Sequence, residues 1–272
     1  MNRFRLAAVG DNCVDRFLPP LSMSLFGGNA LNVAIQWARM DQESHYFGAV
    51  GPDAAGAATR RIVTENGVND RYLVQRPGVT AYTDIQVMPS GERILAFEEF
   101  GVCRGYRPDA EAFRMLATMD HVHIGWLDDG GALRKALSAA GVSCSQDISV
   151  NNDPEHLGVA GLSVVFVSCG EAPDEAEERV TRLLAEGAAM AVATLGPLGA
   201  LAATASERVR VATETIEPVD TTGAGDSFIA GFLLARRQGL PIRECLNAGC
   251  RHAASTCLHV GGFPQSPAPL EA

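Results

Sequence analysis

The chain predicts an α/β fold built on a doubly wound, mostly parallel sheet with flanking helices, and three observations point there. From Asp109 onward, helix-like and strand-like hydrophobic periods alternate, the pattern of strands joined by crossover helices. Near the C-terminal end, Asp220-Thr221-Thr222-Gly223-Ala224-Gly225-Asp226 forms a glycine turn that leads into the apolar stripe Phe228, Ile229, Phe232 and Leu233. Finally, 272 residues at 47% hydrophobic and 20% charged suffice for one large α/β unit with a buried core, and no linker-like run divides them.

The totals also exclude. A net charge of −10 argues against a nucleic-acid partner, which needs a basic face. Lys135 is the only lysine, so no P-loop lysine can cradle a phosphate. Seven cysteines without C-x-x-C spacing give neither a disulfide framework nor a zinc knuckle, and a reducing cytoplasm is expected. The apolar run 6–9 after a basic start is too short for a signal peptide. The uncharged stretch 188–205 has the length of a short membrane span, but Gly196-Pro197-Leu198-Gly199 breaks it, so two buried strands around a turn are expected and no membrane partner. Disorder is expected only in the turn-rich tail 264–272.

Taken in order, Leu6-Ala7-Ala8-Val9 reads as a buried strand ending at Gly10-Asp11-Asn12, with Asp15 just beyond. Ligands collect at the carboxyl ends of strands in open parallel sheets, so Asp11 and Asp15 either grip hydroxyls or sit in a solvated loop. Cys13 is read as a small buried residue, since no His stands at a suggestive spacing. Gly27-Gly28-Asn29-Ala30-Leu31-Asn32 opens a helix whose apolar face runs through Ala30, Val33, Ala34, Trp37 and Ala38. Asn29 and Asn32 share a face; a helix cap explains Asn29 but explains Asn32 less well. The turn Gly51-Pro52-Asp53, with Gly56, leads into a helix ending at Gly67.

Residues 79–87 alternate, with Val79, Ala81, Ile85 and Val87 on one side and Thr80, Tyr82, Asp84 and Gln86 on the other. Pro89-Ser90-Gly91-Glu92 turns the chain and residues 93–97 return it; Arg93, Glu98, Glu99 and Arg104 either read a substrate or form a solvated face. His121 and His123 alternate in a strand and share a face; without a third ligand they are read as structural. The strand 164–167 delivers Ser168-Cys169-Gly170-Glu171, and a later strand delivers Thr194-Leu195-Gly196-Pro197-Leu198-Gly199. Glu217-Pro218-Val219 reads as a strand end before the last glycine turn, whose helix Gly239-Leu240-Pro241 stops. A final small-residue helix spans 247–258 and ends at Gly261-Gly262.

The first turn of the helix after Gly223 is a ready anion site. Asp226 in that turn is either a cap or a carboxylate placed to take a proton from an attacking hydroxyl. A dinucleotide fingerprint is excluded, since it needs a third glycine and no acid in the turn. The segment resembles the C-terminal signature of the ribokinase-like (PfkB) carbohydrate kinases, Asp-Thr-x-Gly-Ala-Gly-Asp, and Gly27 to Ala34 resembles their Gly-Gly-x-x-x-Asn-x-Ala signature.

That resemblance implies a ribokinase-like fold over residues 1–272, with small β lid segments at about 12–26 and 79–106 that also offer a homodimer surface. It implies an ATP-dependent kinase acting on a hydroxymethyl group, with Asp226 as base and Gly223, Ala224 and Gly225 holding phosphoryl charge. Asp11, Asp15, Gly27, Gly28, Asn29 and Asn32 are then expected at the sugar, and Thr194, Gly196, Gly199 and Asn247 at the nucleotide. Magnesium is expected beside Glu171, although Ser168 replaces the family's Asn there. A potassium ion is expected near Asp220 and Thr222. Within the family, Gly10 to Asp15, Gly27 to Ala34 and Gly78 to Ala81 look more like members that phosphorylate fructoselysine at the 6-hydroxyl than like ribokinases or nucleoside kinases. Asp84, Glu98 and Glu99 would then meet the substrate's cationic nitrogen. Another ketose, a nucleoside, or a non-catalytic sugar-binding role on the same fold remain as alternatives.

Overall fold

The computed structural model describes residues 3–88, 93–151, 153, 156 and 158–270. It begins with β1 (Arg5–Val9), whose Leu6, Ala7, Ala8 and Val9 are all fully buried, as a central parallel strand covered on both faces requires. β2 (Cys13–Phe17) and β3 (Met23–Gly27) then leave the main sheet as an antiparallel pair. They are followed by α1 (Asn29–Arg39), β4 (Glu43–Val50), α2 (Ala54–Glu65) and β5 (Asn69–Gln75). α1 is buried on every side from Asn29 to Trp37 rather than along one stripe, because it lies between β1 and the later helix that carries Asp226. Trp37 donates its indole N–H to the Ala230 carbonyl at 3.1 Å, which ties the two helices.

β6 (Tyr82–Val87) and β7 (Arg93–Glu99) form the expected antiparallel pair. The strand starts at Tyr82 rather than residue 79, and Val79 is exposed. The expected turn 89–92, and the side chain of Arg93, lie outside the described residues. The alternation then brings α3 (Ala110–Leu116), β8 (His121–Ile124), α4 (Ala132–Ala139), β9 (Cys144–Asp147), β10 (Val164–Ser168), α5 (Pro173–Ala185) and β11 (Met190–Thr194).

The uncharged stretch folds as β11, a turn at Gly196–Leu198, and β12 (Ala200–Thr204), followed by β13 (Arg208–Val211). Residues 217–219 are not a strand. Pro218 has no N–H to give a ladder, and the Val219 N–H bonds to the Cys257 carbonyl instead. α6 (Ala224–Arg237) and α7 (Ile242–Thr256) pack on one another; α7 starts five residues before the expected helix. In the tail, β14 (Ala268–Pro269) pairs with β3, so part of the stretch expected to be disordered is an edge strand.

Among the described residues the main sheet runs β13-β12-β11-β10-β9-β8-β1-β4-β5, parallel from β11 to β5 and antiparallel only at β11-β12-β13. One core lies under α1, α6 and α7, and a second under α3, α4 and α5. The smaller sheet, β14-β3-β2-β6-β7, has its own apolar center of Phe17, Leu25 and Ile85. Where the two sheets meet, Trp126 stacks on Phe100 with ring centroids 4.1 Å apart. No helix among the described residues is long and apolar enough to cross a membrane.

Candidate active site

A cleft of about 540 Å³ opens at the carboxyl ends of β9, β10 and β11, in front of the first turn of α6. Gly223 precedes that helix at φ 72°, and an added Cβ would run into the Cα of Gly262. Gly262 in turn has no room for a Cβ, because the Asn32 amide carbon would lie 2.6 Å away. These glycines thus give close approach between the helix start and α1 rather than stopping α7.

Asp226 does not cap its helix. Its Oδ1 accepts from Asn29 Nδ2 at 2.7 Å, and its Oδ2 accepts from Asn32 Nδ2 at 2.7 Å. The paired amides of α1 therefore act on the carboxylate of α6. Asn29 Nδ2 also lies 3.1 Å from Asp147 Oδ2, at the end of β9. Burial, reinforced by the charges of Asp147 and Asp11, raises the Asp226 pKa to about 7, while the Asn32 and Asn29 bonds pull it down. Burial likewise raises Asp147 to about 6, against the Ser149 N–H that bonds its Oδ1 at 2.8 Å. Asp147 lines the cleft and was not anticipated; a carboxylate ending a strand carries no local signal of a partner more than a hundred residues away.

Asp11 has a structural task that its sequence position did not announce. It accepts from the N–H groups of Asn29 at 2.7 Å, Ala30 at 3.3 Å and Trp126 at 2.9 Å. It therefore caps α1 from outside, where the N-cap residue Gly28 has no side chain to do so. Gly28 sits at φ 107°, and an added Cβ would come within 2.6 Å of the Asn12 Cα. Gly27 ends β3, one residue before that cap. Asp15 lies in β2 opposite Thr83 of β6, which itself faces Glu98 of β7. Burial and the charge of Asp11 raise the pKa of Glu98. Asp84 differs from expectation: Arg16 grips both its oxygens, at 2.7 and 2.9 Å, so its charge is already paired. Glu99 accepts from the Gly101 N–H at 2.9 Å. Cys13 is hydrogen-bonded to Thr83 at 3.2 Å, and burial pushes its thiol pKa well up, away from a nucleophile's.

At the other end, Thr194, Gly196 and Gly199 line the cleft. Gly199 is there because the Val211 carbonyl leaves no space for a Cβ. Asn247 is not in the main cleft but in an adjoining hollow of about 240 Å³, which shares Thr213, Glu214, Cys250 and Ala254 with it. Glu171 is exposed beside Gly170, a lining residue. A Cβ on Gly170 or Gly225 would meet nothing within 4 Å, so open space lies before both. Those surfaces fit a polyphosphate, which needs backbone approached closely by oxygen. Of the turn amides, Ala224 N–H is engaged by the Thr221 carbonyl at 3.2 Å.

Asp220 ties the turn together, accepting from Thr222 N and Oγ1 at 3.0 and 2.8 Å and from Gly261 N at 2.9 Å. Among the described residues no three His, Cys, Asp or Glu side chains converge to hold a metal ion.

Comparison with known proteins agrees with this geometry. The chain is 30% identical over 260 residues to fructoselysine 6-kinase of Escherichia coli (strain K12), covering 95% of this chain and 99% of that protein. It is 28% identical over 279 residues to a fructosamine kinase of Bacillus subtilis (strain 168), covering 95% and 93%. Arabidopsis thaliana ribokinase, solved with ribose and ATP, superposes with a TM-score of 0.86 at 20% identity, covering 96% of this chain and 94% of that one. A Vibrio cholerae O395 fructokinase solved with fructose, ADP and calcium gives 0.75 at 22% identity, covering 95% and 94%. The fold is thus ribokinase-like, and the pattern described as pfkB family carbohydrate kinase matches residues 24–126 and 147–269. With that match over most of its length, the chain belongs to the pfkB family of carbohydrate kinases.

Proposed function

We propose that this sugar kinase transfers the γ-phosphoryl group of ATP to the 6-hydroxyl of fructoselysine or a related amino-acid ketosugar. The observation that carries the chemistry is the Asp226 carboxylate, held between the Asn29 and Asn32 amides at the opening of α6. The substrate hydroxyl sits against Asp226, which takes its proton as the new O–P bond forms. The bond to the departing ADP breaks with its electron pair leaving on the ADP oxygen. A pKa of about 7 suits a base working near neutrality.

Backbone N–H groups of the turn Gly223 to Asp226 hold the charge spreading over the transferring group, the Ala224 amide being shared with Thr221. Thr194, Gly196 and Gly199 bound the nucleotide, with Asn247 toward its outer end. Magnesium, when bound with the nucleotide, would supply charge neutralisation, and Glu171 beside the cleft would be the residue of this chain to hold it. Asp220 and Thr222 are the candidates for a potassium ion.

The amino-acid part of the substrate is supported by two relatives named for fructoselysine and fructosamine. It is supported also by Asp11, Asp15 and Glu98: the charge of Asp11 already raises the pKa of Glu98, and a substrate ammonium would relieve that repulsion. Gly27, Gly28, Asn29 and Asn32 complete the sugar side. The whole chain acts as one kinase domain, residues 12–26 and 79–106 covering the sugar, and works in the cytoplasm, with all seven cysteines as free thiols. Two chains pair through β7, an edge strand that exposes Leu95 and Phe97; sedimentation at the mass of one chain would overturn that pairing.

The test is ADP release with magnesium and ATP against fructoselysine, related amino-acid ketosugars, free hexoses, pentoses and nucleosides. Release confined to the amino-acid ketosugars is expected. Equal release with free fructose would overturn the substrate assignment, and an unchanged rate on replacing potassium by a large organic cation would overturn the potassium site.

A further inference from the structure

Behind Asp226 the side chains form one directed run of hydrogen bonds, and its direction is fixed at the cleft end. Asn29 turns its Nδ2 toward the two carboxylates of Asp226 and Asp147, so its Oδ1 faces away, 3.1 Å from His123 Nε2. An amide oxygen only accepts, so His123 carries its proton on Nε2. His123 is fully buried, and burial beside His121 lowers its pKa to about 3, so the ring is neutral and Nδ1 is bare. Nδ1 therefore accepts from Ser145 Oγ at 2.9 Å. Having donated there, Ser145 accepts from His121 Nε2 at 2.8 Å. His121, held neutral in the same way, accepts at Nδ1 from Ser143 Oγ at 2.9 Å. Each proton from Ser143 to Asn29 has one place.

We propose that His123 is a positioning residue for the base: by donating Nε2–H to Asn29 it locks that amide with its N–H groups toward Asp226 and Asp147, while Ser145 and His121 fix its tautomer. The inference rests on the reading of Asp226 as the base. His123 reaches no reacting atom; it acts through Asn29. The other groups facing Asp226 are Asp147 at the end of β9, Asp11 after β1 and Asn32 on α1. The histidines face each other along β8, with Phe166 of β10 edge-on to His123 and the charge of Arg237 of α6 acting on His121.

Without the His123 donor the two carboxylates still attract the Asn29 N–H groups, but the amide oxygen loses its donor and the amide is held from the cleft side alone. An amide that shifts to find a new donor for that oxygen weakens its bond to Asp226. The ionised carboxylate is then held less firmly by that donor, so the pKa of the base rises and the acidic limb of kcat moves to higher pH.

Two measurements on the full chain test this. In ¹⁵N NMR, His123 should show the Nε2-protonated tautomer from about pH 5.5 to about 9, with no titration. A ring protonated on Nδ1, or one that titrates in that range, overturns the proposal. With fructoselysine as acceptor, His123→Leu should move the acidic limb up by about one pH unit and lower kcat about tenfold near pH 7, with KM within about twofold. His123→Gln, which keeps a donor at that end, should restore both. Ser145→Ala, which disturbs the core less, should move the limb the same way by a smaller amount. A limb that stays in place in His123→Leu and Ser145→Ala overturns the proposal and leaves the base reading intact. Unchanged turnover in Asp226→Asn would instead overturn the base reading.

Discussion

Asp226 is costly to the fold, and the role proposed for it is a chemical one. Its pKa is about 7 in the folded chain and near the ordinary aspartate value in the unfolded one. Between those values the folded state binds more protons than the unfolded state, so this residue's contribution to stability falls as pH rises through that window. Replacing it by Asn removes the buried charge. The melting temperature of Asp226→Asn should therefore match or exceed that of the native chain at pH about 8, and the gap should close toward pH about 4. A melting temperature well below the native one at pH about 8 would show that the carboxylate stabilises the fold. The local sequence displayed Asp226 in a glycine turn but left open whether it capped a helix. What decides the matter is Asn29, 197 residues away in sequence and 2.7 Å away in space. Asp147 and His123 were opaque for the same reason, since their meaning lies in tertiary contacts with one amide.

Among the elements, α1 and α6 were legible and their joint was not. The apolar periods found both helices, and the glycines announced both starts. Yet α1 begins without a cap of its own, and Asp11, read as a sugar ligand, supplies one from the β1 loop. An intersegment cap leaves no trace at the helix start itself. Gly225 allows a test that separates the helix from its task. It lies inside α6, and an added Cβ would meet nothing within 4 Å. Gly225→Ala should thus stabilise the helix by about 0.5–1 kcal/mol, seen as a raised melting temperature. In the same variant the KM for ATP should rise, because the methyl group projects into the space before the helix. A raised melting temperature with an unchanged KM would remove Gly225 from the nucleotide site.

For the whole molecule, the alternation after Asp109 and the buried run of β1 were enough for a parallel sheet, because both-face burial forces near-continuous apolar strands. The antiparallel edge β11-β12-β13 was visible only as two strands around a turn, since pairing direction is set by where the chain returns. The second sheet was half visible: the β6–β7 pair showed its period, whereas the parallel pairing of β2 with β6 and the addition of β14 join segments far apart in sequence. The site rests on one joint of the fold, where α1 hands two amides to the carboxylate of α6. The measurement that tests this most directly is turnover of Asp226→Asn beside the native chain, with nucleotide affinity measured by calorimetry on both. The expected result is a kcat lower by about 10²- to 10⁴-fold with nucleotide affinity unchanged. Turnover within about threefold of the native rate would contradict the assignment of Asp226 as the base.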